Sequence, residues 1–180
     1  MKMAEDSTTP WVDVEAARGP WRLERDGFSG KSFRLLDQSN TLVASMVWPS
    51  IWKQQFEVQL SSEKWLAKQQ KWWSQSMLLQ NESGSQQIEL PYYWRHVAYG
   101  IVWHNQLLRI KRTDWFGRRF SLIDESGESV LKATTTERFI HFRVDIEAGS
   151  RFTHHKQANF LTVCFATLLA QMHKNARKKA

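Results

Sequence analysis

Apolar and polar residues alternate along most of this chain. Trp21 and Leu23 alternate with Arg22 and Glu24, a period of two that predicts a strand with one buried face. Ser32–Leu36 repeats the pattern with Phe33 and Leu35 on one side, Asp37–Asn40 reads as a turn, and Thr41–Trp48 returns. These segments make a β-meander. Further strands are predicted over Gln55–Leu60, Gln87–Leu90, Val97–Trp103, Ser129–Thr134 and Phe139–Ile146. A short strand is expected where Val12, Val14 and Ala16 alternate with Asp13 and Glu15. Ser61–Gln70 (SSEKWLAKQQ) has helix-forming composition with a serine as cap. Lys71–Leu79 fits helix and strand equally well.

The meander recurs. WRLERDGFSGKSFRLLDQSN, from Trp21 to Asn40, aligns without gaps to LRIKRTDWFGRRFSLIDESG, from Leu108 to Gly127. Phe33 falls on Phe120, Leu35 on Leu122, Asp37 on Asp124 and Ser39 on Ser126. Turn residues and apolar positions coincide together, which favours internal duplication. The pattern changes at Asn159–His173 (NFLTVCFATLLAQMH), where apolar residues run round most of a helical circumference. Such a helix is buried on all sides, and it falls short of the ~20 apolar residues that span a bilayer. Asn159 is placed to cap it. The fold class expected is mainly β: an antiparallel barrel built from duplicated meanders and enclosing a C-terminal hydrophobic α-helix. The layout expected is a lead-in over residues 1–17, one barrel domain over 18–174 and a basic tail over 175–180.

Composition adds aromatic residues and positive charge. Ten Trp and ten Phe are many for 180 residues, and most are expected in a thick core, with some left for a membrane interface or a ligand pocket. The formal net charge of +7 favours anionic partners. Cys164 is the sole cysteine, so no intrachain disulfide forms, as suits a reducing compartment. Set amid Phe and Leu, it reads as a small core hydrophobe. The polar N-terminus MKMAEDSTTP does not read as a signal peptide, and no transmembrane segment is expected. The expected location is cytoplasmic, peripheral at a membrane surface.

The F-x-L-[LI]-D-x-S meander at Phe33 and Phe120, followed by the closing helix, resembles the tubby C-terminal-like fold. That superfamily includes the LURP-one-related proteins and the phospholipid scramblases. The resemblance covers most of Trp21–His173 and implies a barrel of antiparallel strands around a hydrophobic C-terminal helix.

The basic positions are the candidate chemistry. On the strand from Leu108 to Arg112, Leu108 and Ile110 should face the core, leaving Arg109 and Lys111 on the outer face, with Arg118 and Arg119 at the following turn. In the first meander Arg22, Lys31 and Arg34 occupy similar positions. Guanidinium groups offer bidentate contacts to phosphate. The expected ligand is therefore an anionic phospholipid or another phosphate-bearing molecule, bound by Arg109, Lys111, Arg118 and Arg119; nucleic acid is the weaker fit. A structural or regulatory protein–protein interaction domain is the alternative. Enzyme motifs are missing: the sequence has no HExxH, no Cys-x-x-Cys, no G-x-S-x-G and no Gly-rich phosphate loop. The adjacent pair His154–His155 points opposite ways in an extended segment, which suits one metal poorly. Asp37 and Asp124 read as turn residues rather than a catalytic pair. No cofactor is expected.

Overall fold

The computed structural model describes residues 9–27, 30–49, 55–71, 74–93, 98–115, 118–138, 141–149 and 156–177. In chain order the first strands are β1 (Trp21–Asp26), β2 (Ser32–Leu36), β3 (Leu42–Val47), β4 (Phe56–Gln59), β5 (Lys64–Gln69), β6 (Met77–Asn81) and β7 (Gln87–Leu90). Then come β8 (Tyr92–Tyr93), β9 (Ala98–Trp103), β10 (Gln106–Arg112), β11 (Arg119–Ile123), β12 (Ser129–Arg138) and β13 (His141–Ala148), and last a helix, α1 (Lys156–Arg177). The strands form one antiparallel 13-stranded sheet in the order β7-β6-β5-β4-β3-β2-β1-β13-β12-β11-β10-β9-β8. Every neighbour is a chain neighbour except at β1–β13, the seam between the two halves.

The sheet curls into a nearly closed barrel because its two ends are consecutive in the chain. Leu90, the last residue of β7, pairs with Met77, while Tyr92 in β8 pairs with Tyr99. Only Pro91 lies between them, and its carbonyl accepts from Gly100 N at 2.9 Å. Proline has no N–H to give to a ladder, so this is where the strand changes partner.

Inward positions follow the alternation: Leu23, Phe33, Leu35, Phe56, Val58, Leu79, Leu122, Val144 and Ile146 are buried. They pack around α1, where Leu161, Val163, Cys164, Phe165, Ala166, Leu168 and Ala170 are each 0% exposed. A helix apolar all round is stable here because strands face it on every side. At 22 residues it is about 33 Å long. Close approach also constrains the end of the β12–β13 ladder. Gly149 N donates to Val130 O at 2.8 Å, and a Cβ at Gly149 would lie 2.1 Å from Ser129 O.

Three local expectations are corrected. Ser61–Gln70 contains strand β5, not a helix. Trp65 and Ala67 sit two residues apart, both buried, and pair with Val58 and Phe56; burying that face outweighs helix propensity, which is a weak prior. On the outer side Lys64 Nζ meets Glu57 Oε2 at 2.8 Å across the ladder. The Val12–Ala16 strand is a single parallel bridge, Trp11 to Leu42, followed by a turn. Asp13 explains it: its carbonyl accepts from Ala16 N and Ala17 N, and its Oδ1 accepts from Glu15 N at 3.1 Å. These local bonds compete with a ladder. Asn159 does not cap the helix, which begins at Lys156. Asn159 is buried inside it, and its Nδ2 donates to Ala17 O at 2.8 Å, tying the segment before β1 to the helix. The undecided Lys71–Leu79 stretch ends in β6, with Trp72 and Trp73 outside the described residues. Residues 1–8 of the expected lead-in lie outside them too.

The two meanders close on similar aspartate turns. Asp37 Oδ1 accepts from Ser39 N and Thr41 N, each at 2.9 Å. Asp124 Oδ1 accepts from Ser126 Oγ at 2.6 Å and Glu128 N at 2.9 Å. Asn40 and Gly127, equivalent in the alignment, both take positive φ, 59° and 83°. Each turn follows a register shift, at Leu35/Leu36 and at Leu122/Ile123. Asp37 is 8% exposed while Asp124 is more open. Asp37→Ala is therefore expected to cost about 1–3 kcal/mol, as for a buried hydrogen-bonding group left unsatisfied. Asp124→Ala should cost less. Urea denaturation of both variants checks the order, and equal losses would contradict it.

Candidate anionic-ligand face

Antiparallel register decides which side chains share the outer face. Lys111 pairs with Ser121, which pairs with Lys132; Arg119 pairs with Thr134; Arg109 pairs with Ile123. Leu108 and Ile110 are buried and Arg109 and Lys111 exposed, as the alternation requires. Arg109, Lys111, Arg119 and Lys132 thus occupy one face of β10–β12. Residues two apart on a strand lie about 7 Å from each other, and two strand spacings are about 10 Å. A phosphate or a cluster of headgroups can therefore reach several of these cations together. Among the described residues none of the four has an ion-pair partner.

Arg118 belongs to the β10–β11 turn and not to the strand face. Asp114 shapes that turn: its Oδ1 accepts from Arg118 N at 2.8 Å and Arg119 N at 2.9 Å. Thr113 N donates to Arg119 O, and Thr135 N to Arg118 O at 2.7 Å. Arg118 is exposed beside Trp115, which is 94% exposed. The guanidinium of Arg112 sits 5.9 Å from the Phe120 ring centroid.

The first meander offers a comparison within the same molecule. The alignment matches Arg22 with Arg109, Glu24 with Lys111, Asp26 with Thr113 and Ser45 with Lys132. There the cations are neutralised. Arg22 Nε lies 3.3 Å from Glu24 Oε2, Arg34 Nη2 3.0 Å from Glu24 Oε1, and Arg34 Nε 3.7 Å from Asp26 Oδ1. The two copies share a backbone and differ in outer charge. The first is self-paired; the second carries four cations with no ion pair formed among the described residues, and Lys132 has Glu147 opposite it in the β12–β13 ladder. Arg22 and Arg34 therefore do not extend the patch.

Other chemistry is thin. Among the described residues no group of His, Cys, Asp and Glu could hold a metal ion. His154 and His155 lie outside the described residues, and His173 stacks on Phe142 with ring centroids 3.9 Å apart. Cys164 is fully buried, and burial pushes its thiol well above the ordinary value, which suits packing and not nucleophilic attack. Burial likewise pushes the Tyr99 hydroxyl up to about 12. A shallow outer cavity of about 420 Å³ lies over β4–β6, lined by Glu57, Lys64, Lys68 and the turn from Asn81 to Gly84. Its charges are mixed, and Lys64 already holds Glu57. No helix among the described residues is long and apolar enough to cross a membrane.

No family model matches the chain, and no curated protein does. A solved structure is similar: the X-ray structure of a protein from Arabidopsis thaliana, at 10% identity and a TM-score of 0.51. The match covers 86% of this chain and 93% of that one. The likeness is one of fold. At this identity it transfers no residue role. The outer charge must be read from this chain itself.

Lys132 is the member of the face that the sequence reading missed. Its signal was present: it lies between Leu131 and Ala133, both buried, so alternation sends it outward. Placing it beside Lys111 needed the register across β11.

Proposed function

We propose that this protein is a non-enzymatic binding module, a divergent member of the tubby-like superfamily, whose β10–β12 face takes an anionic, phosphate-bearing ligand. The ligand class is phospholipid headgroups at a cytoplasmic membrane surface, met peripherally. One observation carries the reading: the first meander pairs its outer cations with Glu24 and Asp26, while Arg109, Lys111, Arg119 and Lys132 form no ion pair among the described residues. Four cations on one face serve a multivalent anionic surface better than a single small anion. Each Lys or Arg near an anionic bilayer contributes about 1 kcal/mol, so replacing two should weaken binding about 30-fold.

Co-sedimentation with phosphatidylserine-containing vesicles at low salt tests this. The double variant Lys111→Gln/Arg119→Gln should bind about 30-fold more weakly than wild type, and added salt should weaken the wild type. Replacing Arg22 and Arg34 should have little effect, because both are already paired. No binding of the wild type to anionic vesicles would overturn the reading.

A further inference from the structure

We infer that the β10–β11 turn is a membrane anchor, with Trp115 inserting into the headgroup–acyl boundary of an anionic bilayer while the neighbouring cations hold lipid phosphates. This rests on the headgroup reading above and deepens it.

Trp115 is 94% exposed, far above the other exposed large apolar residues, Trp11 at 41% and Tyr93 at 37%. Hydrogen bonds fix the residues on both sides of it. Asp114 Oδ1 binds two backbone N–H groups, and Thr113 N–Arg119 O and Thr135 N–Arg118 O bonds close the turn from both sides. Local hydrogen bonds hold the ends of this turn, and among the described residues the Trp115 indole is left open. Arg112, Arg118 and Arg119 flank it in sequence and are exposed. A ring with an N–H at one edge suits the bilayer interface, where tryptophan concentrates. Cations beside it meet the negative surface potential.

Topology puts the rest of the site at the same end of the barrel. The β11 start, the β12 end, the β13 start and the β3 end all lie there. So does the C-terminal end of α1, where Gln171 accepts from Trp48 Nε1 and His173 stacks on Phe142. Arg119 and Thr134 form the outer row nearest the turn, followed by Lys111 and Lys132, then Arg109. A barrel that dips this turn into a bilayer brings the cations toward the headgroups in that order. Trp11, bridged to Leu42 at the start of β3, lies at the opposite end, and serves as the control.

The test uses the full chain with vesicles of phosphatidylcholine and phosphatidylserine, carrying bromine on the acyl chains where quenching is read. Trp115→Ala should lower vesicle affinity about tenfold at every salt concentration and leave the salt slope unchanged, since it removes apolar insertion and no charge. Brominated chains should quench wild-type emission and quench Trp115→Ala much less. Trp11→Ala should behave as wild type. If wild type binds and Trp115→Ala binds equally well with equal quenching, the anchor is overturned and the headgroup face stands. If wild type does not bind, both fall. Binding of single-stranded oligonucleotide but not vesicles, lost in Trp115→Ala, would make the indole a stacking platform and would likewise overturn the anchor.

Discussion

Phe165→Asp is expected to abolish folding. Phe165 is 0% exposed at the middle of a helix that the barrel encloses. Removing the ring alone costs about 3–5 kcal/mol, as for a buried aromatic cut to a small residue. The new carboxylate has no water around it, and its desolvation costs several kcal/mol more unless it is protonated. Together these reach the roughly 5–15 kcal/mol that holds a domain folded. Phe165→Leu, which keeps an apolar side chain, should remain folded. Soluble yield and circular dichroism melting give a first readout, and the adjacent thiol a second. Cys164 is fully buried and its thiol is pushed upward by burial, so a thiol reagent should react with it only in unfolded chain. A Phe165→Asp protein that melts cooperatively with Cys164 still protected would show that the helix is not internal.

Trp48→Ala is expected to cost about 3–5 kcal/mol without removing the fold outright. The indole is fully buried at one end of the barrel. It stacks on Phe56 with centroids 4.4 Å apart and meets Phe33 edge-on at 5.4 Å. Lys174 Nζ lies 5.0 Å from its centroid, and its Nε1 donates to Gln171 Oε1 at 2.9 Å. That bond opens a relay. Gln171 Nε2 donates to Asn175 Oδ1, Asn175 Nδ2 to the Tyr99 hydroxyl, and that hydroxyl to Gln75 Oε1. One side chain thus couples β3, the helix and β9. Trp48→Phe keeps most of the packing and loses the donor, so it should cost nearer 1 kcal/mol. Guanidinium denaturation of both variants separates packing from hydrogen bonding. Equal losses in the two would mean the hydrogen bond, not the ring, dominates.

The legible parts of this protein share one property: they depend on neighbours in sequence. Alternation in WRLERD and SFRLL needs only a buried face. The Asp37 and Asp124 turns close on backbone groups two and four residues away. The NFLTVCFATLLAQMH helix is apolar all round, so it had to be enclosed. Two of the three errors fell where a local preference met a partner elsewhere in the chain; the third, at Val12–Ala16, came from the local bonds of Asp13. Ser61–Gln70 favours helix by composition, but Trp65 and Ala67 have Val58 and Phe56 to pair with and a helix to pack on. Asn159 looks like a cap until Ala17, far off in the chain, is seen to accept its Nδ2.

The candidate site divides the same way. Sequence determined that the chain is strand-rich with a repeated meander pattern and one enclosed helix, and that Arg109 and Lys111 face outward, because these follow from local periodicity. Only the tertiary structure decided that Lys132 joins them across Ser121, that Arg119 lies on strand β11 rather than in the turn, and that Arg22 and Arg34 are neutralised by Glu24 and Asp26. Charge is a property of a residue, but free charge is a property of its neighbours. In a sheet those neighbours come from register and strand order, which no single strand encodes.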